Sequence, residues 1–454
     1  MSGRDDIDFG KVKVSRLFTK LFVPTLLGMV SWALLTVVDG IFVGWGVGSH
    51  GIAAINICFP IFIVLTGFAL MMGAGVSVVA SIHLSQRNLK AARINVTQAI
   101  GFASLLVLLT VSVIEFFPNE IAMMLGASET LAPHVVDYMV WLMPSGVMQM
   151  WSVIGLFVIR LDGSPKYAMW CNVVPACLNM VLDWVFIYPL GMAVKGAAIA
   201  SSISTATGGV MALCYLLFIS RNLRFYKLKL TLKSLKLTLR NILYQCKIGF
   251  SAFVGEIAMS MLMIVGNIVF MKHVGDAGVG AYGVACYYLP FVFMFGGSIA
   301  QSLQPIASYN FGLGRNDRVV EAFAISCRTG VVASLFSIAA FTMFAPYLVR
   351  LFIDSADPAA GIAIAGFPYF ATGFLFYITN LIAIGFLQSI KRVGPSVVFS
   401  FLRGMIFLIP SFCLMPSLFG IKGIWLAMPV SEVATFAVVA VYMALNRRKL
   451  FCVR

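Results

Sequence analysis

Charge is scarce in this sequence. Only 11% of its 454 residues are Asp, Glu, Lys or Arg, and 61% are hydrophobic. A soluble domain has about 25% charged and about 45–50% apolar residues. With a mean hydropathy of +0.97, the chain reads as an integral membrane protein. Other absences narrow its function. The nine cysteines are scattered singly with no C-x-x-C, so neither a disulfide framework nor a zinc site is indicated. No H-E-x-x-H, no G-x-S-x-G and no deep histidine pair occurs, so an enzyme is not expected. A Thr-Val-Gly-Tyr-Gly-like filter is also missing, which argues against a channel. No cleavable leader is expected, because the apolar run from Leu21 is too long for a signal-peptide core.

Present instead are apolar runs of about 20 residues, each enough to cross ~30 Å of hydrocarbon as a helix. A membrane barrel would show short alternating segments. The runs predict an all-α membrane protein of twelve spans: 17–45, 53–84, 93–117, 135–160, 166–189, 194–219, 243–272, 280–311, 319–347, 361–389, 395–416 and 422–446. Lys and Arg concentrate in alternate loops. The outer loops hold only Lys195, Lys272, Arg350 and Lys422, and Arg328 and Arg403 fall within spans. This asymmetry predicts that both termini are cytoplasmic. It also accounts for most of the net charge of +15 without nucleic acid. The richest segment, RNLRFYKLKLTLKSLKLTLRNILYQCK, has eight basic residues and no acid. It reads as an interfacial linker on anionic headgroups.

Six spans flank that linker on each side, and similarity recurs across it at one offset. Gly51-Ile-Ala-Ala returns as Gly278-Val-Gly-Ala. Lys195-Gly-Ala-Ala-Ile-Ala returns as Lys422-Gly-Ile-Trp-Leu-Ala, and Ala80-Ser81 as Ala307-Ser308, all at a spacing of 227. We therefore expect an N-lobe over 1–219, a basic cytoplasmic linker over 220–242 and a C-lobe over 243–454. An even number of spans per repeat gives the halves the same orientation, about a pseudo-two-fold axis along the membrane normal. That is a transporter architecture.

The few acids inside spans are the candidate site, because an intramembrane charge costs at least about 2.5–3.5 kcal/mol. Asp39 and Asp183 lie at similar depth in the first half. Asn179, four residues before Asp183, shares its helix face, and Ser201 sits just below the outer surface. Two carboxyls, an amide and a hydroxyl suit Na⁺, with Asp39, Asn179 and Asp183 as possible ligands, or a proton. The competing reading is that each acid pairs with another side chain and merely joins helices. Pro24 and Pro175 lie on the same two spans; each bends its helix either as a coupling device or as a static kink. Glu256, with Asn267 three turns on, is a possible second cation or substrate site. Glu256 could instead pair with Arg328 or Arg403, while Glu432 and Arg403 read as a structural pair.

These motifs resemble a known family. VPTLLGMVSWALLTVVDGIFVGWGVG, GIAAINICFPIF, LNMVLDWVFIYPLGMAVKGAAIAS and the Gln304-Pro305-Ile306 and Tyr309-Asn310-Phe311-Gly312 pattern are similar to multidrug and toxic compound extrusion (MATE) transporters, in particular the bacterial DinF-like branch. The resemblance implies a multi-pass antiporter of the bacterial inner (plasma) membrane. It would export small cationic amphipathic compounds by alternating access, with Na⁺ or H⁺ as coupling ion and no other cofactor. It places a cation site on Asp39, Asn179, Asp183 and Ser201, and gives Tyr138 a role in the polar network of that lobe. Two departures stand out. Trp184 occupies the position after Asp183 where the family often has proline, and Glu256 is reminiscent of a branch whose acid lies in the C-lobe. A monomer is expected. The alternative is a flippase for lipid-linked saccharides, whose anionic cargo would need buried Arg or Lys.

Overall fold

The computed structural model describes residues 8–46, 49–125, 127, 129, 131–228, 231–354, 357–447 and 450. Side chains of Thr36, Gly40, 44–46, 49–54, Asn56, Phe59 and Asp276 also lie outside the described residues. The repeat Gly51-Ile-Ala-Ala therefore has no described side chains, and the ends that bear on the location of the termini fall outside too. Every regular element among the described residues is helical. The apolar composition dictates this, because only a helix satisfies its backbone groups within one spanning segment.

The described chain divides into two compact units, residues 1–11 with 23–253, and residues 12–22 with 254–454. In chain order the helices are α1 Val14–Gly46, α2 Ser49–Ser85, α3 Leu89–Phe116, α4 Pro118–Met124, α5 Ala132–Leu142, α6 Gly146–Leu161, α7 Pro165–Ile187, α8 Ala193–Cys214 and α9 Leu232–Val274. They continue with α10 Asp276–Gly312, α11 Asn316–Met343, α12 Ala345–Arg350, α13 Pro358–Ala371, α14 Phe374–Ser389, α15 Val393–Phe401 and α16 Leu408–Leu445. Ten helical segments are long and apolar enough to span a membrane, and α13 with α14, bent by 47° at their join, makes an eleventh if taken as one span.

The differences from the expected spans have local causes. The fourth span is interrupted by a 3-10 turn at Met143–Ser145, where Pro144 removes a helix donor. The spans expected at 395–416 and 422–446 run together as Val393–Leu445, a 53-residue stretch. It is broken at Gly420 (φ 60, ψ −139), a conformation open to glycine. The seventh helix begins at Leu232 rather than 243, and so takes in half of the expected linker. Thr231 caps it, its hydroxyl accepting from the Ser234 N–H at 3.3 Å.

Left-handed residues echo the sequence repeat. Arg87 and Gly314, and Ala193 and Gly420, have positive φ and are each 227 residues apart; Gly163 and Lys391 are 228 apart. The same chain reversals are thus made twice.

Within the first unit, small residues let backbones meet, the usual way helices associate in lipid. The crossing of α2 and α9 is the tightest case. A Cβ on Gly75 would overlap the Gln245 carbonyl, and one on Gly249 would overlap the Met71 carbonyl. An amide ladder adjoins this crossing. The Gln245 amide donates to Asn95 Oδ1 at 2.8 Å, Asn241 donates to Gln98 Oε1 at 3.0 Å, and Gln98 donates to the Thr238 hydroxyl at 2.7 Å. The second unit is built around aromatic rings instead, with Trp425 packed against Phe270, Phe367 and Phe370 at centroid distances of 4.9 to 6.3 Å.

Gly249→Leu or Gly75→Leu should force α9 from α2 and destabilise the protein by at least the about 1–3 kcal/mol typical of overpacking. Thermal unfolding in detergent checks this. An unchanged midpoint in both variants would show that the crossing is looser than described.

Candidate functional site

The first unit gathers most of the residues singled out from sequence. Asp39 on α1 and Asp183 on α7 bring their carboxyl groups within hydrogen-bonding reach of each other. Carboxylates are acceptors only, so two carboxyl groups this close need a proton or another cation between them. The remaining Oδ1 atom of each acid is buried without a hydrogen-bond partner. Asn179, one helical turn before Asp183, is buried beside it. Its amide, oriented to satisfy its neighbours, donates to Asp183 Oδ2 at 3.0 Å and accepts from the Ser201 backbone N–H at 3.2 Å. The Ser201 hydroxyl lies 3.4 Å from the same amide. Tyr138 on α5 is buried and within electrostatic range of both acids. Pro24 and Pro175 lie inside α1 and α7, the helices that carry the two acids.

The cluster holds two carboxyls, an amide and a hydroxyl, with two oxygen atoms lacking donors. A cation can complete such a set; a further anion cannot, because buried charge must be compensated. Among the described residues no group of three or more His, Cys, Asp and Glu has the arrangement of a metal site. The two acids with neutral oxygens therefore suit a proton or an alkali cation rather than a transition metal.

One arginine was missed. Arg160, near the end of α6, is only 4% exposed. Its Nε donates to the Leu156 carbonyl at 2.8 Å, its Nη1 lies 3.5 Å from the Thr25 hydroxyl, and its guanidinium stacks 4.9 Å from the Phe157 ring. Its position at the edge of a loop hid it in the sequence, where it counts as an interfacial charge. Glu115, near the end of α3, is half-buried with one carboxyl oxygen lacking a partner.

In the second unit, Arg403 and Glu432 form a buried salt bridge, with Nε and Nη2 at 3.0 and 2.9 Å from Oε1. Asn380 donates to Glu432 Oε2 at 2.7 Å, and Arg403 stacks over the Tyr377 ring at 4.3 Å. Arg403 is thus committed to Glu432, and Arg328 is exposed. Glu256 is half-buried within electrostatic range of Tyr377. Asn267 is exposed, and eleven residues separate it from Glu256, about 16 Å along the helix at 1.5 Å per residue. The structure does not bring these two together.

The sequence pattern of the MatE family matches residues 24–185 and again 251–413. The chain belongs to the MatE family. The two MatE matches start 227 residues apart, the spacing of the internal repeat. Among curated proteins, the multidrug export protein MepA of Staphylococcus aureus is 25% identical over 450 residues, covering 97% of this chain and 96% of the relative. MepA of Staphylococcus saprophyticus is 25% identical over 447 residues, with the same coverage. Among solved structures, an outward-facing multidrug resistance MATE transporter of the MOP superfamily superposes with a TM-score of 0.89 at 19% identity, covering 97% of this chain and 98% of that one. A MOP superfamily transporter from Pyrococcus furiosus, described as having a binding pocket of reverse polarity, gives the same values. As a MatE protein the chain is a multi-pass membrane transporter and not an enzyme, consistent with a place in the bacterial inner membrane.

Removing one partner of a buried ion pair costs about 3–5 kcal/mol, and replacing both with apolar groups is often neutral. Arg403→Met alone should therefore lower thermal stability strongly. Arg403→Met with Glu432→Leu should recover most of the loss. A double variant no better than the single would mean that the network does more than neutralise one charge.

Proposed function

We propose that this MatE protein is a secondary active antiporter that exports small cationic amphipathic compounds, including drugs, in exchange for Na⁺ or H⁺. The observation that carries this reading is the carboxyl pair Asp39–Asp183 with Asn179 and Ser201 beside it. In a low-dielectric site the pair is comfortable only with a positive charge between its oxygens. A coupling ion supplies that charge, and its release leaves a site that must regain a cation. Coupling requires that ion and substrate have different affinities for two conformations of the carrier. Alternating access provides those conformations, and Pro24 and Pro175 are the places where α1 and α7 bend between them. Tyr138 adds a polar wall to the pair. Glu256 is a second acid that takes part in cation or substrate binding in the other half.

The MepA relatives are multidrug exporters by name, which supports the substrate class. The resemblance supports a monomer. Taking Val393–Leu445 as two spans across Gly420, and α13 with α14 as one, gives twelve spans. The Lys/Arg asymmetry then supports cytoplasmic termini. The 227-residue repeat supports an N-lobe over 1–219, a linker over 220–242 and a C-lobe over 243–454, related by a two-fold along the membrane normal, while the compact first unit takes in the linker and the start of the seventh span up to 253.

One observation favours a second reading. Arg160 is a buried guanidinium with no carboxylate on it among the described residues, as a flippase for anionic lipid-linked saccharides would need.

The test is efflux of ethidium from proteoliposomes under an imposed Na⁺ or pH gradient. One gradient should drive wild-type efflux and name the ion. Asp183→Asn should reduce gradient-driven efflux to the leak of empty liposomes, and Arg160→Gln should leave it largely intact. Transport of a lipid-linked saccharide that is lost in Arg160→Gln, with no ethidium efflux under either gradient, would favour the second reading. Efflux that survives in Asp183→Asn would move the coupling site to Glu256.

A further inference from the structure

Helix α9 is 43 residues long, about 64 Å at 1.5 Å per residue, whereas ~30 Å of hydrocarbon needs only about 20 residues. Its first half must therefore extend past the hydrocarbon, and its faces are sharply divided. One face, Thr238, Asn241, Ile242, Gln245 and Gly249, is pinned to the first unit by the amide ladder and the Gly75 and Gly249 crossing. The opposite face carries Lys233, Lys236, Arg240 and Lys247, at helical spacing and all exposed. At about 100° per residue these four cluster about 180° from the pinned face. None has an ion pair among the described residues, and the 220–247 segment contains no acid. Between the two faces runs a stripe of exposed leucines. Leu232, Leu235, Leu239 and Leu243 are 88, 61, 54 and 60% exposed.

A leucine stripe that flanks a basic ridge, on a helix running directly into a membrane span, is unlike a solvated surface. Water would leave the leucines exposed at a cost of ~25 cal/mol per Å² of apolar area. The pattern is that of a helix lying at the headgroup boundary, with leucines among the acyl chains and Lys/Arg among phosphates. We propose that residues 232–247 of α9 form an anionic-phospholipid binding face, with Lys233, Lys236, Arg240 and Lys247 as the headgroup ligands. Because the opposite face is pinned, lipid held here is coupled directly to the position of α9 against α2 and α3. The face is independent of what the protein transports.

The full-length protein carrying Leu239→p-benzoylphenylalanine is reconstituted in mixed phosphatidylglycerol and phosphatidylcholine. It is then irradiated and its adducts are identified by mass spectrometry. A second probe, Leu108→p-benzoylphenylalanine on the exposed face of α3, reports lipid contact away from the basic ridge. At 239 the ratio of phosphatidylglycerol to phosphatidylcholine adducts should exceed the bulk ratio severalfold, and at 108 it should equal it. The excess should vanish with Lys233→Gln, Lys236→Gln, Arg240→Gln and Lys247→Gln combined. If that variant does not fold, 0.5 M salt applied to the protein with the four cations intact serves the same purpose, because screening at that strength confines charge interactions to a few ångströms. A bulk ratio at 239, adducts to another protein, or no lipid adduct at 239 alongside adducts at 108 would each overturn the proposal.

Discussion

Two carboxyl groups brought together within membrane-spanning helices must share whatever positive charge is available, and among the described residues no lysine or arginine acts on them. Asp39 and Asp183 meet carboxyl to carboxyl, with Asn179 turning its amide to one of them and Ser201 holding that amide in place. The arrangement leaves an oxygen on each acid with no donor. The neighbours fit that deficit: the Asn179 spacing, the buried Tyr138 and, among the described residues, no lysine or arginine acting on the pair. A built-in counterion would have made the pair permanent. Without one, the pair is open to the cation exchange proposed for it.

The second unit solves the same problem in the opposite way. Its buried Glu432 is permanently neutralised by Arg403, with Asn380 taking the other oxygen. The repeat makes the contrast concrete. The residue 227 positions after Asp39 is Gly266, and the space beside it is filled by the Tyr282 ring, so a side chain there would collide with it. The residue 227 positions after Asp183 is Pro410. The helices were duplicated, but the acids stand in one copy only. A carboxyl pair without a basic partner and a fixed ion pair can thus grow from the same scaffold, because the backbone path depends on the turns at Arg87/Gly314 and Ala193/Gly420 rather than on the acids.

Much of this was legible before any coordinates. Apolar runs showed that helices cross a membrane, and the four-residue spacing of Asn179 and Asp183 placed them on one face. The rarity of acids within spans pointed to the pair. Periodicity does not say which face meets a neighbour, however, and the errors came from there. Asn267 lies at a helical repeat from Glu256 but on an exposed side. Arg160 looked interfacial because it borders a loop, although its aliphatic stem and guanidinium lie between Thr25 and Phe157. The start of α9 was misplaced because KLKLTLKSLKLTL alternates as readily as it winds. Only the ladder from Asn95 and Gln98 commits it to a helix from Leu232. The break at Gly420 follows from a conformation open to glycine, but nothing in its flanks distinguishes it from glycines that continue a helix.

The reach of α9 sets where this chain can be divided. The repeat suggests a cut near its midpoint, between the sixth and seventh spans. Yet residues 232–253 belong to the first unit, and the second begins only at 254, within the same helix. A first half that ended at the midpoint would leave the side chains of Asn95 and Gln98 facing an empty groove, with the carbonyl of Met71 stripped of the glycine that covers it. The two copies, although duplicated end to end, are no longer separable modules. Gene fission, circular permutation or exchange of halves between relatives would have to carry Leu232 to Phe253 with the half that precedes it.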